Sequence, residues 1–303
     1  MKISLVDVDG HNYPNLALMK LSAWHKAHGD TVDWYSPLFS RPDRIYASKV
    51  FTFTPDYFDY SPLDPEPIRG GTGYDARVHL PAEIEAMRPD YSIYPQFREA
   101  YGFLSRGCIR RCPWCVVPTK EGKIRAVADI EEIAGDRREV MLMDNNFLAN
   151  DAAFVRGQLE KIARLKLRVD FNQGLDARLV NEDNVRLLVR VKYIRRMRFA
   201  CDTSDMLPYI RRAITLIREQ GYRGEVFCYA LIRDVAEAEY RVRELVNLGV
   251  IPFAQPYRDL NTNAEPEKEL KIFSRYVNIK GGKMVKKIKF KDYYYGRRDH
   301  AST

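Results

Sequence analysis

The chain has only five cysteines in 303 residues, none before Cys108 and none after Cys228. An odd count with three of them crowded together argues against a disulfide framework and points to a reducing, cytoplasmic setting with a metal or redox task. No apolar run approaches the ~18 residues that a membrane-spanning helix needs, so no membrane segment is expected. The opening "MKISLVDVDG" lacks a charged leader followed by a long apolar stretch, so no secretory signal is expected either. Histidine is scarce, with five in all, and His79 is the only one within reach upstream of the cysteine group. No second C-x2-C pair exists. Structural zinc takes a complete set of four ligands, commonly drawn from such pairs, so it is the weaker match for this cysteine group.

What is present is ordinary for a soluble globular protein, with 46% hydrophobic and 30% charged residues. The charge is unevenly placed. Eleven Lys and Arg face three acidic residues between Lys268 and Thr303, which is +8 and equals the net charge of the whole chain. The first 267 residues are therefore close to neutral. The tail "KGGKMVKKIKFKDYYYGRR" interleaves aromatics with cations, as a contact surface for nucleic acid or an acidic peptide would, or as a solvated terminal extension or hairpin would.

"KISLVDV" reads as a strand, "NLALMKLSAWHKAHG" as a helix stopped by Gly29, and "DTVDWYS" and "RIYASKVFTF" as two further strands. "RGGTGYD" is a glycine-rich turn, and residues 55–95 are expected to be loops. From Tyr101 six strand-like runs alternate with helical patterns: "YGFLSRG", "EVMLMDNN", "RVDFNQG", "RMRFACD", "EVFCYALI" and "IPFAQPY". Consecutive βα units predict a parallel sheet, and six of them predict a partial, open barrel. The expected division is residues 1–98, 99–262 and a basic helix and tail over 263–303. In the tail, "EPEKELKIFSRYV" has one apolar helical face suited to closing a sheet edge, and "KMVKKIKFKDYYYG" alternates partly like a strand.

In such barrels chemistry gathers at the carboxyl ends of the strands. The polar residues expected there are Asp144, Asn145 and Asn146; Asn172, Gln173 and Asp176; Asp202, Ser204 and Asp205; Arg233; and Gln255, Tyr257 and Arg258. Cys108, Cys112 and Cys115 follow the first strand and belong to the same rim. Their C-x3-C-x2-C spacing gives three thiolates on one short loop, enough to hold three irons of a [4Fe–4S] cluster and leave the fourth open. An open iron can be chelated by the amino and carboxylate groups of S-adenosylmethionine, whose reductive cleavage yields a radical that no side chain can make unaided.

"SRGCIRRCPWCVVP" resembles the cluster loop of the radical S-adenosylmethionine superfamily, with Trp114 at the position that lies beside the adenine. "VMLMDNNFLAN" and "YALIRDVAEAEYRVRELVNLGV" are similar to the second strand and to the fifth strand and helix of the branch whose members often carry an N-terminal cobalamin-binding domain. The resemblance covers about residues 100 to 260. It implies a partial (βα)6 barrel preceded by a small cobalamin-binding-like, Rossmann-type α/β domain. It further implies a [4Fe–4S] cluster on the three cysteines, S-adenosylmethionine as cofactor, and an external reductant such as flavodoxin or ferredoxin. By the same resemblance Met143, Asp144, Asn145 and Asn146 stand where the methionine amino group is received, in place of a Gly-Gly-Glu-like stretch. Asp202, with Ser204 in reserve, stands where the ribose is held. Asp176, Arg178 and Arg233 are the candidates for the carboxylate or the substrate. Cys201 is the better placed of the two remaining cysteines for attack on a substrate or hydrogen donation to it; the alternative for Cys201 and Cys228 is packing.

"LVDVDGHNYPNLALMKLSAWHKAHGDTVDWYS" is similar to the start of a cobalamin-binding domain. Asp9 and His11 match its D-x-H, Pro14 replaces its glycine, and Ser48, Gly70 and Gly71 resemble later motifs, so cobalamin is the further cofactor implied. With no cysteine before Cys108, a second cluster of the methylthiotransferase kind is not expected. The reaction stays open among cobalamin-dependent methyl transfer, hydrogen abstraction with rearrangement, and modification of a peptide or nucleic acid. The alternative from another class is a non-catalytic iron–sulfur protein that binds nucleic acid or carries electrons.

Overall fold

The first apolar run, "KISLVD", becomes the buried strand β1 (Lys2–Asp7), as its strand length and lack of breakers require. The computed structural model describes residues 1–259, 262 and 264–299, with side chains as far as Tyr295. Two compact units divide the chain: Met1–Tyr101 with Pro113–Lys120, and Gly102–Cys112 with Glu121 onward. The fold class is α/β with parallel sheets.

In the first unit β1 is followed by α1 (Leu16–Ala27), β2 (Thr31–Trp34), β3 (Arg44–Ser48), β4 (Ile68–Gly70) and the single-turn α2 (Ala82–Glu85). The sheet order is β2-β1-β3-β4 and all three pairings are parallel. Asn15 caps α1 by accepting the Leu18 N–H, while its amide donates to the Ser48 hydroxyl at 2.9 Å. The helix starts where β3 ends. Ile3, Leu5, Leu18, Leu21, Val32 and Ile84 form the core. The third strand was expected to run to Phe53, but it stops at Ser48. The Asp9 carboxylate accepts the Val50 N–H and the Thr54 hydroxyl and draws the chain off the ladder. Gly70 ends a short edge strand, β4, and the expected glycine-rich turn follows from Gly71, whose carbonyl accepts the Tyr74 N–H at 3.0 Å.

The junction carries β5 (Ala100–Gly102), then β6 (Ser105–Arg106), α3 (Val117–Lys120), β7 (Arg125–Ala126) and α4 (Ile130–Ala134). Then come β8 (Glu139–Leu142), α5 (Ala152–Arg164), β9 (Arg168–Phe171), α6 (Glu182–Leu188), β10 (Lys192–Tyr193) and β11 (Met197–Ala200). The series ends with α7 (Leu207–Glu219), β12 (Val226–Ile232), α8 (Val235–Asn247), β13 (Ile251–Pro256), α9 (Lys268–Asn278), α10 (Lys283–Lys287) and α11 (Phe290–Asp299). One sheet has the order β10-β9-β8-β5 and another β11-β12-β13. A parallel bridge from Leu175 to Phe199 joins them beyond the end of β9. It needs a close approach: a Cβ on Gly174, which has φ +83°, would lie 2.9 Å from the Phe199 backbone. The six strands read from the sequence therefore stand side by side in chain order. The short pairs β6–β7 and β10 were not expected.

The long helices bury the stripes their periodicity predicts, for example Val155, Leu159 and Ile162 in α5 and Ile210, Ile214 and Ile217 in α7. Asp151 and Asp234 cap α5 and α8 with their side chains. The face of β12 and β13 toward the helices (Ala230, Ile232, Ala254) packs against α8 and α9.

The tail departs from its expected strand. α10 and α11 are helices, and Val285 and Phe290 are buried in one cluster with Phe273, Tyr276 and Val277 of α9. Packing explains it: Val285 of α10 and Phe290 of α11 face the core, and the lysines between them face water. α9 also closes the sheet edge as expected. Asn278 Oδ1 accepts the Ala254 N–H at 2.8 Å and its amide donates to the Ala254 carbonyl at 3.0 Å, occupying β13's free backbone groups. Residues 260, 261, 263 and 300–303, including the expected boundary after 262 and the chain's last residues, lie outside the described residues.

Candidate functional site

Four consecutive residues at the end of β8 receive the segment that leads into the cysteines. Met143 N–H donates to the Gly102 carbonyl at 2.9 Å. The Asp144 carboxylate accepts the Leu104 N–H at 3.1 Å, the Ser105 N–H at 2.6 Å and the Ser105 hydroxyl at 2.7 Å. Asn145 Oδ1 accepts the Gly107 N–H at 2.9 Å. Asn146 Nδ2 donates to Cys108 Sγ at 3.4 Å and to Asp176 Oδ2 at 3.3 Å, while its buried Oδ1 has no partner. Leu104 and Ser105 are fully buried, and buried N–H groups require acceptors; Asp144 supplies them. Burial pushes the Asp144 carboxyl up to about 6 against the pull of those hydrogen bonds.

A stem closes the loop below the cysteines. β6 and β7 pair antiparallel, the Arg106 guanidinium meets both Glu121 oxygens at 3.0 and 3.2 Å, and Cys108 N–H donates to the Gly122 carbonyl at 3.2 Å. Gly107 has φ +84°, and a Cβ there would lie 2.3 Å from the Lys123 carbonyl, so only glycine fits.

Within the second unit, Cys108 Sγ accepts the Arg110 N–H at 3.3 Å in addition to the Asn146 amide. Burial raises the Cys112 thiol, and Arg178 opposes it, with Asp202, Cys108 and Asp176 also near enough to act on it. Asp176 is 7% exposed and accepts from Arg178 Nε at 2.7 Å, Arg110 Nε at 3.2 Å and Asn146. Burial works to raise its carboxyl, but Arg178 and Arg110 outweigh it and hold the group below the usual range. Cys108, Cys112, Asn146, Asp176, Arg110 and Arg178 thus form one neighbourhood. Arg110 was not singled out from the sequence; its place two residues after Cys108 was the available signal.

In the first unit Cys115 is exposed, its sulfur accepts the Val117 N–H at 3.5 Å, and Trp114 is half-buried. Among the described residues no group of three or more His, Cys, Asp or Glu side chains is gathered as a metal-holding set.

A second neighbourhood lies at the ends of β11 and β12. Cys201 is fully buried, with Sγ 3.7 Å from the Thr203 carbonyl, and it borders the equally buried Cys228. Asp202 accepts the Leu231 N–H at 3.2 Å, and the Ser204 hydroxyl donates to Glu237 at 2.5 Å. Sequence reading missed Arg241, which is fully buried. It donates to the carbonyls of Cys201 and Leu231 and to both Glu237 oxygens, locking these strand ends to α8. Arg233 is exposed, and Asn172 Nδ2 lies 3.7 Å from Met143 Sδ.

On the sheet face away from the helices, Arg198 donates to Asp170 Oδ2 and to the Tyr229 hydroxyl, each at 2.6 Å. Asp170 is 1% exposed and its Oδ1 has no partner, nor does Arg198 Nε. Burial raises the Asp170 carboxyl, with Arg198 opposing. A hollow of about 510 Å³ lies against α7 and α8, lined by Leu207, Pro208, Arg211 and Tyr240. Ser204 alone links it to the strand-end residues, and no cysteine lines it.

In the first unit the His11 ring packs at a tilt of 36° against Trp34 with centroids 4.1 Å apart, and Asp9 is occupied by Val50 and Thr54. Asp7, opposite Ser48 in the β1–β3 register, accepts the Tyr94 hydroxyl at 2.6 Å, and burial raises its carboxyl. No helix among the described residues is long and apolar enough to cross a membrane. No family model and no curated protein matches the chain.

Proposed function

We propose that the chain is a radical S-adenosylmethionine enzyme whose [4Fe–4S] cluster is held by Cys108, Cys112 and Cys115. One observation carries the reading: Cys108 Sγ accepts two N–H donors, from Arg110 and Asn146, on a loop start that the four residues after β8 hold in place. Sulfur that accepts such bonds is suited to thiolate chemistry, and hydrogen bonds to sulfur are a means of tuning a cluster. The donor set fits: three thiols, two of them served by backbone N–H groups two residues on. When bound, such a cluster would bind S-adenosylmethionine at its open iron and deliver the electron that releases a 5′-deoxyadenosyl radical.

The chain's own residues supply the rest. Met143 to Asn146 position the loop, Asp176 with Arg110 and Arg178 balances charge beside Cys108 and Cys112, and Asp202 and Ser204 remain the candidates toward the ribose. The order of the six strands supports a partial (βα)6 barrel, and the order β2-β1-β3-β4 supports a cobalamin-binding-like domain. Cobalamin, an external flavodoxin or ferredoxin, and a reaction of the methyl-transfer or polymer-modifying kind belong to the same proposal.

The test is anaerobic reconstitution with iron and sulfide, followed by assay for 5′-deoxyadenosine with and without cobalamin. The expected result is about four irons per chain and cofactor cleavage that is lost in Cys108→Ala, Cys112→Ala and Cys115→Ala but kept in Cys201→Ala. Stoichiometric zinc in protein purified without oxygen would overturn it, as would loss of iron in Cys201→Ala.

A further inference from the structure

The basic tail is a folded surface, and its chemistry is separable from the cysteine site. α9, α10 and α11 pack through Phe273, Tyr276, Val285 and Phe290, so the residues between these anchors are held in fixed places. Arg243 donates to the carbonyls of Val285 and Ile288, the Tyr276 hydroxyl donates to Ile288 at 2.6 Å, and Glu239 accepts the Phe290 N–H at 2.9 Å. A Cβ on Gly282 would lie 3.0 Å from Pro252 Cδ. The segment therefore starts beside the first residues of β13 and runs back along α8 from Arg243 to Glu239.

Lys280, Lys283, Lys286, Lys287, Lys289 and Lys291 are all exposed on it. The ion pairs nearest by, Arg243–Glu239 and Lys271–Glu265, do not involve them, and among the described residues none of the six has an acidic partner within salt-bridge distance. Holding six like charges within twelve residues on a rigid cap costs self-repulsion that a loose tail would relieve. A polyanion recovers that cost.

The composition selects the polyanion. Protein interfaces are depleted in lysine at their centre and built on apolar and aromatic anchors, whereas nucleic-acid interfaces are polar and strongly positive. Ile288, 37% exposed, and Tyr295, 51% exposed, are the large apolar side chains that the described part of this cap shows to solvent. Single-strand binders stack successive bases on a row of aromatics, and one exposed tyrosine does not make a row. Lysine acts as a point charge toward phosphate and reads no base.

We propose that the α10–α11 cap binds the phosphate backbone of a nucleic-acid duplex, without sequence preference. The proposal is independent of the reaction assigned above, because binding is read on the full chain whether or not a cluster is present. The experiment is fluorescence anisotropy of a short RNA duplex, a DNA duplex of equal length and poly-glutamate, each titrated with full-length protein over a range of salt.

The two duplexes should bind within a few-fold of each other, and affinity should fall steeply as salt rises. The combined variant Lys286→Glu, Lys287→Glu, Lys289→Glu should weaken duplex binding at least ~10-fold and lower the slope of log affinity against log salt by about 3. Its melting temperature should stay near that of the parent; if it does not, the same three positions as Gln carry the test. Duplex binding that neither triple variant changes would overturn the proposal. So would poly-glutamate binding as tight as duplex binding, which would make the cap a site for an acidic protein.

Discussion

Replacing Asp144 by Ala tests the link between β8 and the cysteine segment most directly. The carboxylate serves the N–H groups of Leu104 and Ser105 and the Ser105 hydroxyl, in a place where both residues are fully buried. The hydroxyl can turn to another acceptor, but each of the two buried N–H groups left without one costs about 1–3 kcal/mol, so Asp144→Ala should lose roughly 2–6 kcal/mol. Against a total stability of ~5–15 kcal/mol this is a large share. Urea unfolding followed by far-UV circular dichroism reads the loss as a lower midpoint, and iron content after reconstitution should fall with it.

The same group gives a pH signature. Its folded carboxyl is raised to about 6 from an ordinary 3.8, so between those values the folded chain holds a proton that the unfolded chain releases. This contribution is present in full below pH 3.8 and is lost as pH rises through about 6, a change of about 3 kcal/mol at most. Asp144→Asn cannot titrate and should flatten that part of the stability profile. An Asp144→Ala protein with an unchanged urea midpoint, or an Asn variant with the parent's slope between pH 4 and 6, would refute the reasoning.

Ending the chain at Ile279 should give insoluble or poorly cooperative protein, because Val285 and Phe290 leave the cluster they share with Phe273 and Tyr276. Burial of two such side chains is worth about 3–6 kcal/mol, and a soluble truncated chain with the parent's melting temperature would contradict the packing described. Arg241→Ala should destabilise by about 2–3 kcal/mol in denaturant unfolding, since it strands the carbonyls of the buried Cys201 and the half-buried Leu231, while Glu237, 38% exposed, keeps the Ser204 hydroxyl. A loss below about 1 kcal/mol would show that water or another side chain takes its place.

Local pattern determined much of this protein. Five of the six strands from Tyr101 onward, the helices α5 to α8 between them and the opening strand–helix–strand were legible, because each depends on hydrophobic period and on caps such as Asp151 and Asp234 that act within a few residues; the first run, 101–107, breaks into β5 and the antiparallel β6. The three cysteines were legible for the same reason: their spacing lies within eight positions. The tail was misread as a strand because its lysines alternate with apolar residues over a stretch too short to separate the two periods. Packing of Val285 and Phe290 on α9 decided for helix. β3 ended early because Asp9, some forty residues upstream, takes the Val50 N–H. The residue count put Asp144, Asn145 and Asn146 at a strand end, but only the fold shows that they are spent in turn on residues 104 to 108. Arg241 on α8 and Arg110 beside Cys108 looked like ordinary surface cations. Arginine declares a buried role only when tertiary contacts bring carbonyls and carboxylates to its five donors, and no local pattern encodes that meeting.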